Sequence, residues 1–180
     1  MAAVGALLSL SSVLRAAPAG GGSSEYAVKA AFLYHFAQFV EWPERAFKAE
    51  DSPLVYCTVG ADPFQGALDT SLSGKVIGKH PVQVRHLRQP QEAHQCQVVF
   101  IGEEERKSLT AVLASTKDSP VLVVGESEGF VGSGGMIGFC LEENKIRFDI
   151  NLEGAEKAGL KISAKLLSLA KTVVGGPKKG

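Results

Sequence analysis

QVVFIGEEERKSLTAVLASTKDSPVLVV, residues 97–124, sets two unbroken apolar runs on either side of a mixed segment. The runs are Val98-Val99-Phe100-Ile101 and Val121-Leu122-Val123-Val124. Neither alternates, as a strand with one wet face does, so both suit strands covered on both faces. The segment between them, Glu104 to Thr116, reads as a helix, with the acidic run Glu103-Glu104-Glu105 favourably placed at its amino end. Strand, helix and strand in that order predict a right-handed crossover between parallel neighbours.

The same alternation extends outward. Towards the amino end the pattern predicts a helix over Glu25 to Trp42, a strand at Leu54 to Val59, a helix at Pro63 to Leu72 and a strand at Val82 to Leu87. Asp62 can cap backbone N–H groups while Pro63 supplies the first helical φ, and Trp42-Pro43 ends the first helix. Towards the carboxyl end, Met136 to Glu142 and Lys145 to Ile150 flank Glu143-Asn144, a pair suited to an antiparallel hairpin. A last helix is expected from Ser163 to Val174, with Leu166, Leu169, Ala170 and Val173 on one stripe. The expected fold is α/β: one domain with an open, largely parallel sheet flanked by helices, a C-terminal antiparallel hairpin and a final helix.

Composition narrows the function. Lys and Arg number 19 and Asp and Glu number 19 in 180 residues, so the formal net charge is zero. No long-range field gathers polyanions, and nucleic acid is not an expected partner. Residues 1–24 read as a signal peptide or disordered leader. They hold a short apolar stretch (Val4, Leu7, Leu8, Leu10, Val13, Leu14), then Ala16-Ala17-Pro18-Ala19 and a Gly/Ser run, too short to span a bilayer and better suited to a cleaved export signal. Two features depart from an export signal: no basic residue precedes the apolar stretch, and Arg15 follows it. Residues 25–174 form the expected domain and 175–180 a disordered tail.

Cys57, Cys96 and Cys140 are too few and too scattered for a zinc site of paired C-x-x-C type. In an oxidising compartment Cys57 with Cys96 is the preferred disulfide, since each lies near the end of an expected strand. The bland reading is three buried thiols behaving as small hydrophobes. His35, His80, His86 and His94 are dispersed, so no metal is expected. The stretch from Gly129 to Gly135 opens a strand rather than a helix, so its glycines serve close backbone packing, not nucleotide binding, and no cofactor is expected. No G-x-S-x-G elbow is present, and no enzyme is expected.

The first helix is unusual. Tyr26, Ala30, Leu33, Ala37 and Val40 make one stripe, the natural core side, while Phe32, Phe36 and Phe39 make a second. That second stripe either packs internally, the commoner outcome for aromatic residues, or faces a partner or another copy of the chain.

YAVKAAFLYHFAQFVEWP (26–43), GADPF (60–64), Val124-Gly125 with Glu128-Gly129-Phe130, GGMI (134–137), RFDIN (147–151) and LKISAKL (160–166) resemble, in their order and spacing, the YfiR-like family. The resemblance implies a periplasmic protein that represses a membrane-anchored diguanylate cyclase by binding its periplasmic sensor region. An outer-membrane-associated lipoprotein would withdraw it, releasing cyclic di-GMP synthesis and with it biofilm formation. It also implies a disulfide near the first and middle strands, which fits Cys57 with Cys96 and leaves Cys140 unpaired. Contact residues expected on this basis are Phe32, Phe36 and Phe39 with the polar set Arg147, Asn151 and Lys165. Arg147 and Asn151 have an equal claim to be a hydrogen-bonded pair tying the hairpin to the next helix. A second reading is a periplasmic small-ligand sensor, with a crevice at the strand carboxyl ends near the loops after Val59 and Val124.

Overall fold

A computed structural model describes residues 21–176. Of the leader expected over residues 1–24, residues 1–20 lie outside the described residues, as do residues 177–180 of the tail expected over 175–180. In chain order the elements are α1 (Gly21–Gln38), β1 (Val40–Glu41), β2 (Leu54–Val59), α2 (Ala67–Leu72), β3 (Val76–Ile77), β4 (His80–Leu87), β5 (Val98–Ile101) and α3 (Leu109–Thr116). These are followed by β6 (Leu122–Gly125), β7 (Ile137–Glu142), β8 (Lys145–Asn151), α4 (Leu152–Lys157), β9 (Lys161–Ile162), α5 (Ala164–Leu169) and β10 (Thr172–Val174).

The main sheet runs β10-β8-β7-β6-β5-β2-β4-β3. Its centre, from β7 to β4, is parallel throughout. β8 joins antiparallel to β7 through the expected hairpin, in which Glu143 and Asn144 both take positive φ, 48° and 59°. That is the geometry a two-residue turn needs to match the strand twist.

Side-chain alternation sorts the core into two faces. Tyr56, Val98, Phe100, Leu122, Ile137, Phe139, Phe148 and Ile150 meet α1, whose Ala30, Leu33, Phe36 and Ala37 are buried. On the other face Val55, Cys57, Val99, Ile101, Val121 and Val123 meet Leu109 and Val112 of α3 and the ring of Phe130. Each central strand thus buries both sides, and this is why the two apolar runs do not alternate.

The glycine-rich segment is a packing device, as expected. A Cβ on Gly125 would lie 2.2 Å from the Phe130 ring and one on Gly135 2.1 Å from it, so the buried ring is held between two positions that only glycine can occupy.

Several boundaries differ from expectation, and the helix expected from Glu104 opens as a 3-10 helix over Glu103–Ser108 before α3. α1 begins at Gly21, so its backbone includes residues 21–24, and it stops at Gln38 rather than Trp42. It stops there because Val40 pairs with Ile162 and the Ser163 N–H donates to the Phe39 carbonyl, making tertiary partners more favourable than another helical turn. Residues 63–66 form a turn before α2: Asp62 accepts N–H groups from Phe64 and Gly66, at 3.0 and 2.9 Å. Finally, the helix expected over Ser163 to Val174 ends at Leu169. Its last three residues become β10, parallel to β8, because the β-branched run Thr172-Val173-Val174 fits a pleated edge better than a helix. The stripe read into that helix is split: Leu166 is buried but Leu169 and Val173 are exposed.

Candidate functional site

Two regions concentrate polar or half-buried groups, and the expected site residues divide between them and the core.

The first is the crevice at the carboxyl ends of β5 and β6, the place expected beyond Val124. It encloses about 290 Å³ between Glu25, Tyr26, Lys29, Glu103, Glu126, Phe139, Cys140 and Leu141. Glu126, the residue after β6, is its organiser. It pairs with Lys29 and accepts the Tyr26 hydroxyl at 2.8 Å and the Glu103 N–H at 3.1 Å. Lys29 also reaches Glu25, one helical turn back. Only 6% of either the Lys29 or the Glu126 side chain is exposed. Burial, then the hydrogen bond to Glu126, drives the Tyr26 phenol well above its ordinary pKa. The polar groups of the crevice satisfy one another, so the small-ligand reading gains no free recognition group here.

Sequence reasoning missed Lys29 and Glu126. The signal available was Lys29 itself, a lone charge beside Ala30 and one turn before Leu33 on the core side of α1, which demands a buried counter-charge.

The second region is the corner formed by the end of α1, α5 and β10. Lys165 of α5 places its ammonium 5.0 Å from the centre of the half-buried Phe39 ring. Leu169 lies one helical turn further along α5 and is 54% exposed; on β10, Val173 is 38% exposed on the α1 side of the sheet, and Val174, 39% exposed, turns to the Asn151 side.

The expected contact residues are not one patch. Phe36 is fully buried, with ring centroids 5.5 Å from Phe139 and 4.9 Å from Phe148. It is a core residue, and its expected role at a partner surface is corrected on that ground: a side chain with no exposed area offers nothing to another protein. Phe32 edges onto the same cluster, 6.0 Å from Phe139 and 5.8 Å from Phe148, and keeps part of its ring exposed. Arg147 and Asn151 project from the other face of β8, because Phe148 and Ile150 between them point to α1. The structure therefore brings Lys165 to Phe39 and keeps Arg147 and Asn151 away from both. Asn151 has a local duty: its Oδ1 accepts the Gly154 N–H at 2.9 Å and caps α4. Asn151 thus does tie the hairpin to the next helix, while Arg147 stands exposed.

Cys57 and Cys96 are disulfide-bonded, with Cα atoms 6.1 Å apart. Pairing of β2 with β5, which sets Cys57 opposite Val99, brings the end of the preceding loop into reach. Cys140 is a free, partly exposed thiol.

An open, mostly parallel sheet flanked by helices, with covered aromatic residues and a braced crevice, defines a single domain of the α/β class. Its residues 26–171 match the family model described as YfiR/HmsC-like, and the chain belongs to that family. The family is regulatory, acts through protein–protein contact and belongs to cyclic di-GMP signalling. Among solved structures, the chain is similar to a conserved domain protein from Vibrio cholerae, with a TM-score of 0.57 and 10% identity, covering 82% of this chain and 60% of that one. This likeness shows the fold alone. The ABC domain from Streptococcus pneumonia in complex with L-Trp is more distant, with a TM-score of 0.47, 10% identity and coverage of 67% of this chain and 55% of that one. The chain thus spans well under two thirds of either structure. No helix among the described residues is long and apolar enough to cross a membrane.

Proposed function

We propose that this protein is a periplasmic regulator that binds the sensor region of a membrane-anchored diguanylate cyclase and restrains it, with an outer-membrane lipoprotein as its competitor. Family membership and the disulfide support the compartment and the signalling system. The observation that carries the binding reading is the apolar corner. Leu169 at the end of α5 and Val173 on β10 are exposed, and earlier on α5 Lys165 sets its charge against a Phe39 ring covered only in part. β10 is also the sheet edge there, with one side of its backbone unpaired. Large apolar side chains gathered at a strand edge suit a partner that buries them and adds main-chain hydrogen bonds. Regulation then needs only that the protein bind one arrangement of the cyclase better than the other.

The test is a pull-down of the exported protein from membranes, with wild type compared to the double variant Phe39→Glu/Leu169→Glu. Wild type should recover a diguanylate cyclase and lower its activity, and the variant should keep its circular dichroism spectrum and lose the cyclase. Recovery of no cyclase by wild type, or equal recovery by both, would sink the reading.

A further inference from the structure

Asp62, Asp69 and His86 stand on three different segments, a turn, a helix and a strand, and the fold gathers them. The turn after β2 brings Asp62, α2 brings Asp69 and β4 brings His86, and one ligand atom of each lies within 4.8 Å of the others. We propose that these three side chains form a binding site for a divalent metal ion of the zinc class.

The geometry behind each ligand supports this. β2 and β4 pair in parallel with Thr58 opposite His86, and Thr58, a fully buried residue, shares a hydrogen bond of 2.7 Å with His86 Nδ1. In the tautomer in which Nδ1–H donates to the threonine, the Nε2 lone pair faces outward to the two carboxylates. Metal-bound histidines are commonly held in this way, with the second ring nitrogen fixed by a hydrogen bond to the protein. Asp69 sits 3.2 Å from Nε2. Asp62 is rigid before any ion arrives, since its two oxygens accept the Phe64 and Gly66 N–H groups and each keeps a further lone pair.

A His86–Asp69 ion pair by itself would account for two of the groups. It leaves the Asp62 carboxylate within 4.8 Å of that pair, and a dication would balance the two carboxylates. One nitrogen and two carboxylate ligands, with water completing the shell, match zinc-type coordination, and they fall short of the six or more oxygens that calcium or magnesium prefers. The His86 and Asp69 side chains are 41% and 46% exposed, so an ion can reach the site without opening the fold.

The experiment is calorimetric titration and thermal denaturation of the full chain with zinc chloride, in a Cys140→Ser background that removes the free thiol as a competing ligand. Saturable one-to-one binding is expected, with a raised Tm and no comparable response to magnesium. His86→Gln, which can keep the hydrogen bond to Thr58, and Asp69→Asn should each weaken zinc binding by at least about tenfold. Absence of saturable binding, a one-to-one response unchanged by Asp69→Asn, or equal stabilisation by magnesium would overturn the site. The result is independent of whether the protein binds a cyclase.

Discussion

Glu126 and Lys29 form an ion pair buried at the mouth of the sheet, joining the residue after β6 to the first half of α1. Glu126 also accepts from Tyr26 and from the Glu103 backbone, so this one carboxylate ties the amino-terminal helix to the loops after β5 and β6. Breaking such a pair on one side leaves an uncompensated charge in a poorly hydrated place. Lys29→Met, which leaves the Glu126 carboxylate without a counter-charge, should cost about 3 kcal/mol or more of unfolding free energy, and Glu126→Gln, which leaves Lys29 its second partner Glu25, should cost less. The double variant should cost less than the sum, and a double-mutant cycle by urea denaturation measures the difference.

Tyr26 gives the crevice a pH signature. Its folded pKa is raised above the ordinary 10.0 by burial and then by Glu126, so the folded state holds the phenolic proton more tightly than the unfolded chain. The contribution is complete below the unfolded value and is lost as pH rises towards the folded one. Tyr56, raised chiefly by burial, acts in the same direction. Unfolding midpoints should fall as pH rises above about 10, and Tyr26→Phe should make that fall shallower than in wild type.

Removing the Cys57–Cys96 bridge opens a loop spanning 39 residues in sequence. In the chain-entropy picture this amounts to about 4 kcal/mol. Dithiothreitol, or Cys57→Ser with Cys96→Ser, should lower the Tm of the wild-type chain by a comparable amount in each case. Identical melting curves with and without reductant would mean that the bridge does not form.

Cys140 should react slowly. Burial, then the nearby Asp149 carboxylate, pushes its thiol above the usual cysteine range, so less of the nucleophilic thiolate is present at neutral pH. Thiol-reagent kinetics on the native protein should be slower than on the same protein unfolded in urea.

Phe36→Ala should destabilise by about 3–5 kcal/mol, as expected for a large ring removed from a closed core. Asn151→Ala should cost about 1 kcal/mol through loss of the α4 cap. Chemical denaturation separates both from Leu169→Glu, whose side chain is exposed and whose stability should hardly change.

What the sequence determined by itself is the kind of sheet, largely parallel with an antiparallel hairpin, though not the order of its strands. Continuous apolar runs around a helical segment require parallel strands covered on both faces, and Glu143-Asn144 between two strand patterns requires a reversal. Both signals are local and survive without knowledge of neighbours. The disulfide was also legible, because strand positions bring Cys57 and the approach to β5 together. Tertiary structure decided everything that depends on what lies across from a side chain. Periodicity shows that Phe32, Phe36 and Phe39 are apolar, but only Phe139 and Phe148 arriving from the hairpin decide that Phe36 is closed in while Phe39 is left at the rim. The end of α1 and the conversion of Thr172–Val174 to an edge strand were settled by the long-range backbone partners Ile162 and β8. Lys29 with Glu126, and His86 with Asp62 and Asp69, are separated along the chain by loops and crossovers whose closure no local pattern encodes. Charges and ligands meet across the sheet, and a linear pattern carries no measure of that distance.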